Sequence, residues 1–267
     1  MKEIIHLVDG HKIIEYEKTC IYVIDNIIES NLCDDFIQLI LKLNLKKNNN
    51  YFKGSNVICD HICLNSCVNK NDDLFYTFST DPEVYKQLLN KCKTRDIIST
   101  NFMNGIRHDT IKNYISIIDE KMKTMREIMK QVNSKIKFEC HCGYNLRKIY
   151  GETRLHIDGE NPLGEVTTSN LNFITELGNY NRNYISGRNA TIIFALNDNY
   201  SDGEFSFPYY EISFKLKKGS VLIFPPYWTH AHKVAKLEEQ QYRYTINTWT
   251  YEKYTSDGNL YKSPYNL

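Results

Sequence analysis

Arg154-Leu155-His156-Ile157-Asp158 is the stretch that decides how this chain is read. Side chains alternate between the two faces of a strand, so His156 and Asp158 share a face while Ile157 points the other way. An imidazole and a carboxylate held side by side can grip one metal ion. Downstream, Lys217-Lys218-Gly219-Ser220 reads as a turn that opens the apolar strand Val221-Leu222-Ile223-Phe224. Pro225-Pro226-Tyr227-Trp228-Thr229 then delivers His230 and His232. Arg243 follows in the apolar and aromatic stretch Tyr242-Arg243-Tyr244-Thr245-Ile246-Asn247-Thr248-Trp249.

Two imidazoles and one carboxylate form a donor set suited to iron(II), because they leave the remaining positions free for other ligands. In an extended segment His230 and His232 lie on the same face, so alternation leaves the choice between them open. Arg243 within such a strand needs an anionic partner if its head is buried, since an unpaired buried charge is costly. A guanidinium grips a carboxylate through two parallel hydrogen bonds.

Around these residues the pattern is β-rich. From Lys135 onward the chain breaks into short runs separated by Gly, Pro, Asn and Asp. Strands are expected at Ile136–Cys140, Tyr144–Ile149, Arg154–Ile157, Ala190–Leu196, Glu204–Phe207, Glu211–Lys215, Val221–Phe224, Lys233–Leu237 and Tyr242–Tyr251. Strands of this number and spacing suit a double-sheet jelly roll of the cupin kind. Before Lys135 the chain is mixed. Ile21–Ile24 reads as a strand, and Ser30 or Asn31 caps an amphipathic helix carrying Phe36, Leu39, Ile40 and Leu43. A short helix is expected from Asp81-Pro82 to Cys92. A longer one runs from Asp109 to Asn133, with a stripe of Ile111, Tyr114, Ile115, Ile118, Met122, Met125, Ile128 and Met129 that packs on the sheet. Residues 46–80 are polar and irregular.

Composition narrows the alternatives. Among 267 residues, 33 basic and 32 acidic side chains leave a net charge of +1, so no global field draws nucleic acid or an anionic membrane. The start of the chain lacks the apolar core of a signal peptide, and no apolar run is long enough to span a bilayer, so the expected compartment is cytoplasmic. Eight cysteines are then expected to be reduced. Cys59, His61, Cys63 and Cys67 with Cys140, His141 and Cys142 are an alternative zinc site, although their spacings match no common zinc module.

The ordered motifs resemble the 2-oxoglutarate- and iron(II)-dependent dioxygenases, and most closely their prolyl-4-hydroxylase-like branch. The residues carrying the resemblance are Leu146-Arg147-Lys148-Ile149-Tyr150, His156-Ile157-Asp158, Ala190 to Asn197, Asp202-Gly203-Glu204-Phe205, Lys218-Gly219-Ser220 and Arg243 to Trp249. Tyr22 to Asn26, leading into the helix with Cys33-Asp34, is similar to the opening of such domains. The likeness implies one domain over 1–267: helical support and N-terminal strands at 1–134, a catalytic jelly roll at 135–252, and a tail at 253–267. It implies His156, Asp158 and His232 as iron ligands. His232 is preferred over His230 because Val234 stands two residues on and Arg243 at the distance usual for the basic anchor. It implies Arg243, with Tyr150, Thr191 and Asn247, as the 2-oxoglutarate site, O2 as cosubstrate and ascorbate as reductant. The reaction would hydroxylate a prolyl or other amino-acid side chain of a protein or peptide, or a free small molecule. The rival expectation is a jelly-roll binding module without turnover.

Overall fold

A computed structural model describes residues 2–43, 46–48, 57–68, 74–78, 108–136, 138, 140–141, 144–159 and 188–251. The helix expected at Asp81–Cys92 and the tail at 253–267 lie outside them, as do the side chains of His61, Cys63, Cys67, Cys140 and Cys142. Among the described residues no helix is long and apolar enough to cross a membrane.

The chain opens with a hairpin that the sequence reading passed over. β1 (Glu3–Val8) pairs with β2 (His11–Tyr16) through Asp9-Gly10, whose φ angles of 51° and 81° are both positive. A two-residue turn of that kind matches the twist of its strands, and Asp-Gly is a preferred pair for it. β3 (Ile21–Ile24) follows, then α1 (Ser30–Lys42). Ser30 is the first residue of this helix and not its cap; Glu29 holds the cap position without a side-chain capping bond.

β4 (Lys46–Asn48), β5 (Val57–Val68) and β6 (Leu74–Phe78) occupy the stretch expected to be irregular. Their strands exist because β5 pairs along β8 and carries the other two on its edge, a tertiary demand that overrides low intrinsic β preference. α2 (His108–Val132) is the expected long helix, and Ile115, Ile118, Met122, Met125, Ile128 and Met129 are all buried along it.

From here the architecture is a jelly roll. Its strands are β7 (Cys140–His141), β8 (Tyr144–His156), β9 (Arg188–Ala195), β10 (Phe205–Phe207), β11 (Ile212–Phe214), β12 (Val221–Phe224), β13 (His232–Val234) and β14 (Arg243–Tyr251). The two strands expected at Tyr144–Ile149 and Arg154–Ile157 are one. That single β8 pairs with β14 from Asn145 to Ile149 and with β13 from Thr153 to His156, so it passes from one layer to the other. The larger layer runs β1-β2-β3-β12-β9-β14-β8 and the smaller one β8-β13-β10-β11, all antiparallel. Two expected strands differ: among the described residues the run Ile136–Cys140 pairs only at Cys140, which His141 continues, and β13 ends at Val234, leaving Leu237 as an isolated bridge to Asp202.

Alternation along the larger layer sorts its residues into two cores. Ile192 and Phe194 of β9, Val221 and Ile223 of β12 and Ile246 of β14 join Phe36, Ile40, Ile118 and Met122 of the helices. Ile193 and Ala195 of the same β9, with Leu222 and Phe224, join Phe205, Phe207, Ile212 and Val234 of the smaller layer. Gly219 makes the turn into β12 possible. Its φ is 80°, and a Cβ there would fall 2.3 Å from the carbonyl oxygen of Ile28.

Candidate metal centre

His156 and His232 meet because β8 and β13 pair them directly across the ladder. Their rings lie 4.3 Å apart between centroids. Asp158 reaches them differently from the sequence reading. It lies two residues beyond the pairing, past the end of β8, and not on a shared strand face. The chain there is pinned: Gly159 N–H donates to the carbonyl of Pro226 at 2.6 Å, and Arg188 Nη1 donates to the carbonyl of Asp158. A Cβ on Gly159 would sit 2.7 Å from that Pro226 oxygen, so the approach requires glycine.

The result is a compact donor group. Asp158 Oδ1 is 3.3 Å from His156 Nε2, Oδ2 is 3.8 Å from His232 Nε2, and one ligand atom from each residue falls within 4.8 Å of the others. Each imidazole is locked in one tautomer. His156 Nδ1 donates to the Arg154 carbonyl at 2.7 Å and His232 Nδ1 to the His230 carbonyl at 3.1 Å. The Nε2 lone pairs are therefore left for the centre, an arrangement in which the outer hydrogen bond fixes ring orientation for metal binding. Thr191 Oγ1 donates to Asp158 Oδ2 at 2.9 Å and orients the carboxylate. Burial acts to raise the Asp158 pKa, but the close contacts with His156 and His232 and the hydrogen bond from Thr191 hold it well below the usual carboxylate range. Burial pushes His232 down to about 4, against the pull of Asp158, so its ring is neutral at physiological pH. An anionic carboxylate and two imidazoles with Nε2 directed inward are the donor chemistry a divalent iron requires.

His230 is turned elsewhere. Trp228–His230 forms a short 3-10 turn after Pro225-Pro226, and the His230 ring is closed off by protein on both sides. Nε2 donates to the Thr19 carbonyl at 2.5 Å while Nδ1 accepts from Thr229 Oγ1 at 2.8 Å.

Arg243 enters the inner core from β14, opposite Ile149. It is only 3% exposed, its Nη1 donates to the Gly203 carbonyl at 3.2 Å, and its guanidinium lies over the ring of Phe205. Among the described residues Nε has no partner, and the buried phenol of Tyr200 likewise has none. Burial lowers the Arg243 pKa to about 10, with the Tyr200 phenol opposing that shift. The Tyr200 ring packs on Gly203, the residue whose carbonyl holds Arg243. A buried cation and a buried hydroxyl, both short of an acceptor, fit the distal carboxylate of a dicarboxylic acid. Sequence reading missed Tyr200 because nothing local marks a tyrosine in a turn as buried.

The other expected residues are distributed around this cleft. Asn247 alternates with Arg243 and Thr245 on β14 and accepts from Thr245 Oγ1 at 2.7 Å. Thr191 lies at Asp158, as described. Tyr150 is half-buried on β8 and by alternation shares its side with Leu146 and Lys148, opposite to Arg147 and Ile149. Among the described residues His156, Asp158 and His232 are the only group placed to hold a metal ion.

Residues 147–251 match the model of the 2OG-Fe(II) oxygenase superfamily, a segment that includes His156, Asp158, His232 and Arg243. The chain carries a 2OG-Fe(II) oxygenase domain. Among solved structures, this oxygenase is similar to the viral collagen prolyl hydroxylase of Paramecium Bursaria Chlorella virus-1 in its 2OG complex. The identity is 14%, the coverage 88% of this chain and 97% of that one, and the TM-score 0.49. It is also similar to a Trichoplax adhaerens prolyl hydroxylase in complex with a hypoxia inducible factor oxygen degradation domain peptide, at 12% identity, 88% and 84% coverage and TM-score 0.47. A Pseudomonas putida prolyl-4-hydroxylase follows at 10% identity, 87% and 92% coverage and TM-score 0.44. No curated protein matches the oxygenase by sequence.

Proposed function

We propose that this oxygenase hydroxylates a prolyl side chain of a protein or peptide, with His156, Asp158 and His232 holding iron(II). Arg243, Tyr200 and Asn247 receive 2-oxoglutarate. The observation that carries the reading is the convergence of two Nε2 atoms and one carboxylate while both Nδ1 atoms are tied to backbone carbonyls. When bound, iron(II) with 2-oxoglutarate and O2 supplies the oxidising power that converts the cosubstrate to succinate and CO2 and transfers one oxygen atom to substrate.

The chain's own residues do the rest. Thr191 occupies Asp158 Oδ2 and so keeps the carboxylate from rotating. Phe207 and Phe224 pack beside the His232 ring and dry that side of the centre, which strengthens each polar interaction inside. Arg243 neutralises the distal carboxylate and Tyr200 donates to it, which fixes the far end of the cosubstrate so that its keto acid end faces the ligands. The prolyl assignment is supported by the likeness of the ordered motifs to the prolyl-4-hydroxylase branch. Ascorbate would supply the reducing equivalents that such a centre needs.

The test is anaerobic addition of iron(II) and 2-oxoglutarate, which should give the weak visible charge-transfer band of the chelate. On admitting O2 with ascorbate, succinate should be released slowly even without a prime substrate. Asp158→Ala should lose both signals and keep its fold by circular dichroism. A folded wild-type protein showing neither signal would instead favour a jelly-roll binding module.

A further inference from the structure

The hairpin that opens the chain ends the larger layer on an open strand edge. Among the described residues β1 pairs only with β2, and its register runs without a shift from Glu3 opposite Tyr16 to Val8 opposite His11. In an antiparallel pair, positions that exchange hydrogen bonds alternate with positions that do not. Glu17 N–H donates to the Lys2 carbonyl at 3.0 Å in the same register, so Lys2, Ile4, His6 and Val8 spend their backbone groups on β2. The N–H and C=O groups of Glu3, Ile5 and Leu7 therefore point to the open side. Their side chains are exposed as well, Ile5 by 56% and Leu7 by 79%.

Such an edge is a template for another strand, and proteins block it with proline, bulges or several charges. β1 has no proline and no break in register, and Glu3 is the single charge among its three outward-facing residues. These residues share a face with Ile14 and Tyr16, which pack on the core between the two layers, but the exposure of Ile5 and Leu7 shows that the smaller layer does not reach them. The opposite face is already occupied: His6 Nε2 lies 2.7 Å from Glu15 Oε2, and Gln131 of α2 donates to Asp9. The edge also matches itself. Two copies laid antiparallel about Ile5 set Ile5 against Ile5 and Glu3 opposite the second copy's Leu7, with bonds exchanged at all three outward positions. Lys12, the cross-strand partner of Leu7, then stands two strands from the second copy's Glu3, about 10 Å between backbones, a gap that the two side chains span over the leucine. Within one chain Glu3 and Lys12 lie toward opposite ends of the hairpin, and among the described residues neither joins an ion pair.

We propose that β1 is a self-association edge, through which two copies of this chain join their larger layers into one antiparallel sheet about a twofold axis at Ile5. A second copy fits this edge better than an unlike strand because apolar meets apolar at the centre and Glu3 meets Lys12 at both ends. One strand edge is a small interface, so the dimer is weak and reversible, half-formed at about 10 μM. β1 and β8 lie at opposite ends of the larger layer, so the pairing does not depend on the reading of the metal centre.

The test is sedimentation of the full chain over about 1 to 100 μM, a range that brackets this midpoint. The average mass should rise from one chain toward two. Ile5→Lys sets like charges against each other on the axis and should raise the midpoint about tenfold, while the exposure of the position keeps the fold and its circular dichroism intact. Glu3→Lys and Lys12→Glu should each weaken association about fivefold. An equimolar mixture of these two variants should recover the wild-type midpoint, because the opposite charges then meet only between unlike copies. Amide hydrogen exchange reads the register directly. Protection should rise with concentration at Glu3, Ile5 and Leu7 and stay constant at Ile4, His6 and Val8. A single-chain mass at about 100 μM would leave the edge to an unlike extended partner and overturn self-association. Protection of Ile5 and Leu7 in a single-chain species would mean that the edge is covered within the chain, which also overturns it. So would a dimer indifferent to Ile5→Lys, or mixed charge variants that fail to recover.

Discussion

The two faces of the larger layer are made from the same strands and do opposite work. On β9, Ile192 and Phe194 face the helices and are fully buried among aliphatic and methionine side chains. Thr191, between Ala190 and Ile192, faces the other way and bonds to Asp158. On β14, Ile246 belongs to the helix side while Arg243, Thr245 and Asn247 line the cleft. The helix side contributes stability through area and packing. The other side keeps Arg243 Nε and Trp249 Nε1 buried and, among the described residues, without a hydrogen-bond partner. Function in this fold therefore sits on the face that stabilises it least, a division the alternation of a strand allows at no cost in chain length.

That contrast can be broken most visibly with the two downstream histidines. His232→Ala should eliminate iron binding in the anaerobic titration while leaving the unfolding midpoint nearly unchanged. His230→Ala should retain the iron signal and lose stability, because it leaves the buried Thr19 carbonyl without its donor. Loss of iron in His230→Ala alone would reverse the assignment.

Next comes a pair of truncations on opposite faces. Phe194→Ala removes a fully buried ring on the helix side and should cost about 3–5 kcal/mol in denaturant unfolding. Arg243→Met removes a buried charge with an orphaned Nε, and should raise the stability of the cosubstrate-free protein or leave it unchanged. It should also weaken 2-oxoglutarate binding by about 2 kcal/mol. A destabilised Arg243→Met with normal 2-oxoglutarate affinity would mean that the guanidinium is structural.

The smallest expected change is Tyr200→Phe. Loss of one neutral donor to the distal carboxylate should cost about 1 kcal/mol of 2-oxoglutarate affinity, measured by titration in the Zn(II) form. The effect should vanish when the cosubstrate is replaced by a 2-oxo acid without the distal carboxylate. Equal loss for both acids would remove Tyr200 from that site.

The jelly roll was legible because its strand runs carry period-two apolar patterns and punctuating turns. The helix stripe through Met122 and Met125 was legible for the same reason at period 3.6. What was hidden depended on distant partners. β5 is polar and cysteine-rich, and only its pairing along β8 makes it a strand. Asp9-Gly10 is itself a local hairpin signal, and its two positive φ angles fit the turn that such a pair favours. Around the centre, residue types and order pointed to His156, Asp158 and Arg243, yet no spacing rule reveals that His230 turns toward Thr19 or that Tyr200 folds back on Gly203. The assumption of a shared strand face for His156 and Asp158 failed at the strand end, where a hydrogen bond to Pro226 and not the pleat sets the geometry.

The Arg188 bond to Asp158 has one more implication. Residues 158 and 188 are far apart along the chain but touch in space, and Gly159 is tied to Pro226 at the same spot. Asp158 is thus anchored through its backbone to the first residue of β9, and its neighbour Gly159 to the residue pair that follows β12. The position of the carboxylate is inherited from two other parts of the chain, so a change at Arg188 or Pro226 can retune the centre without altering any residue that would touch a metal.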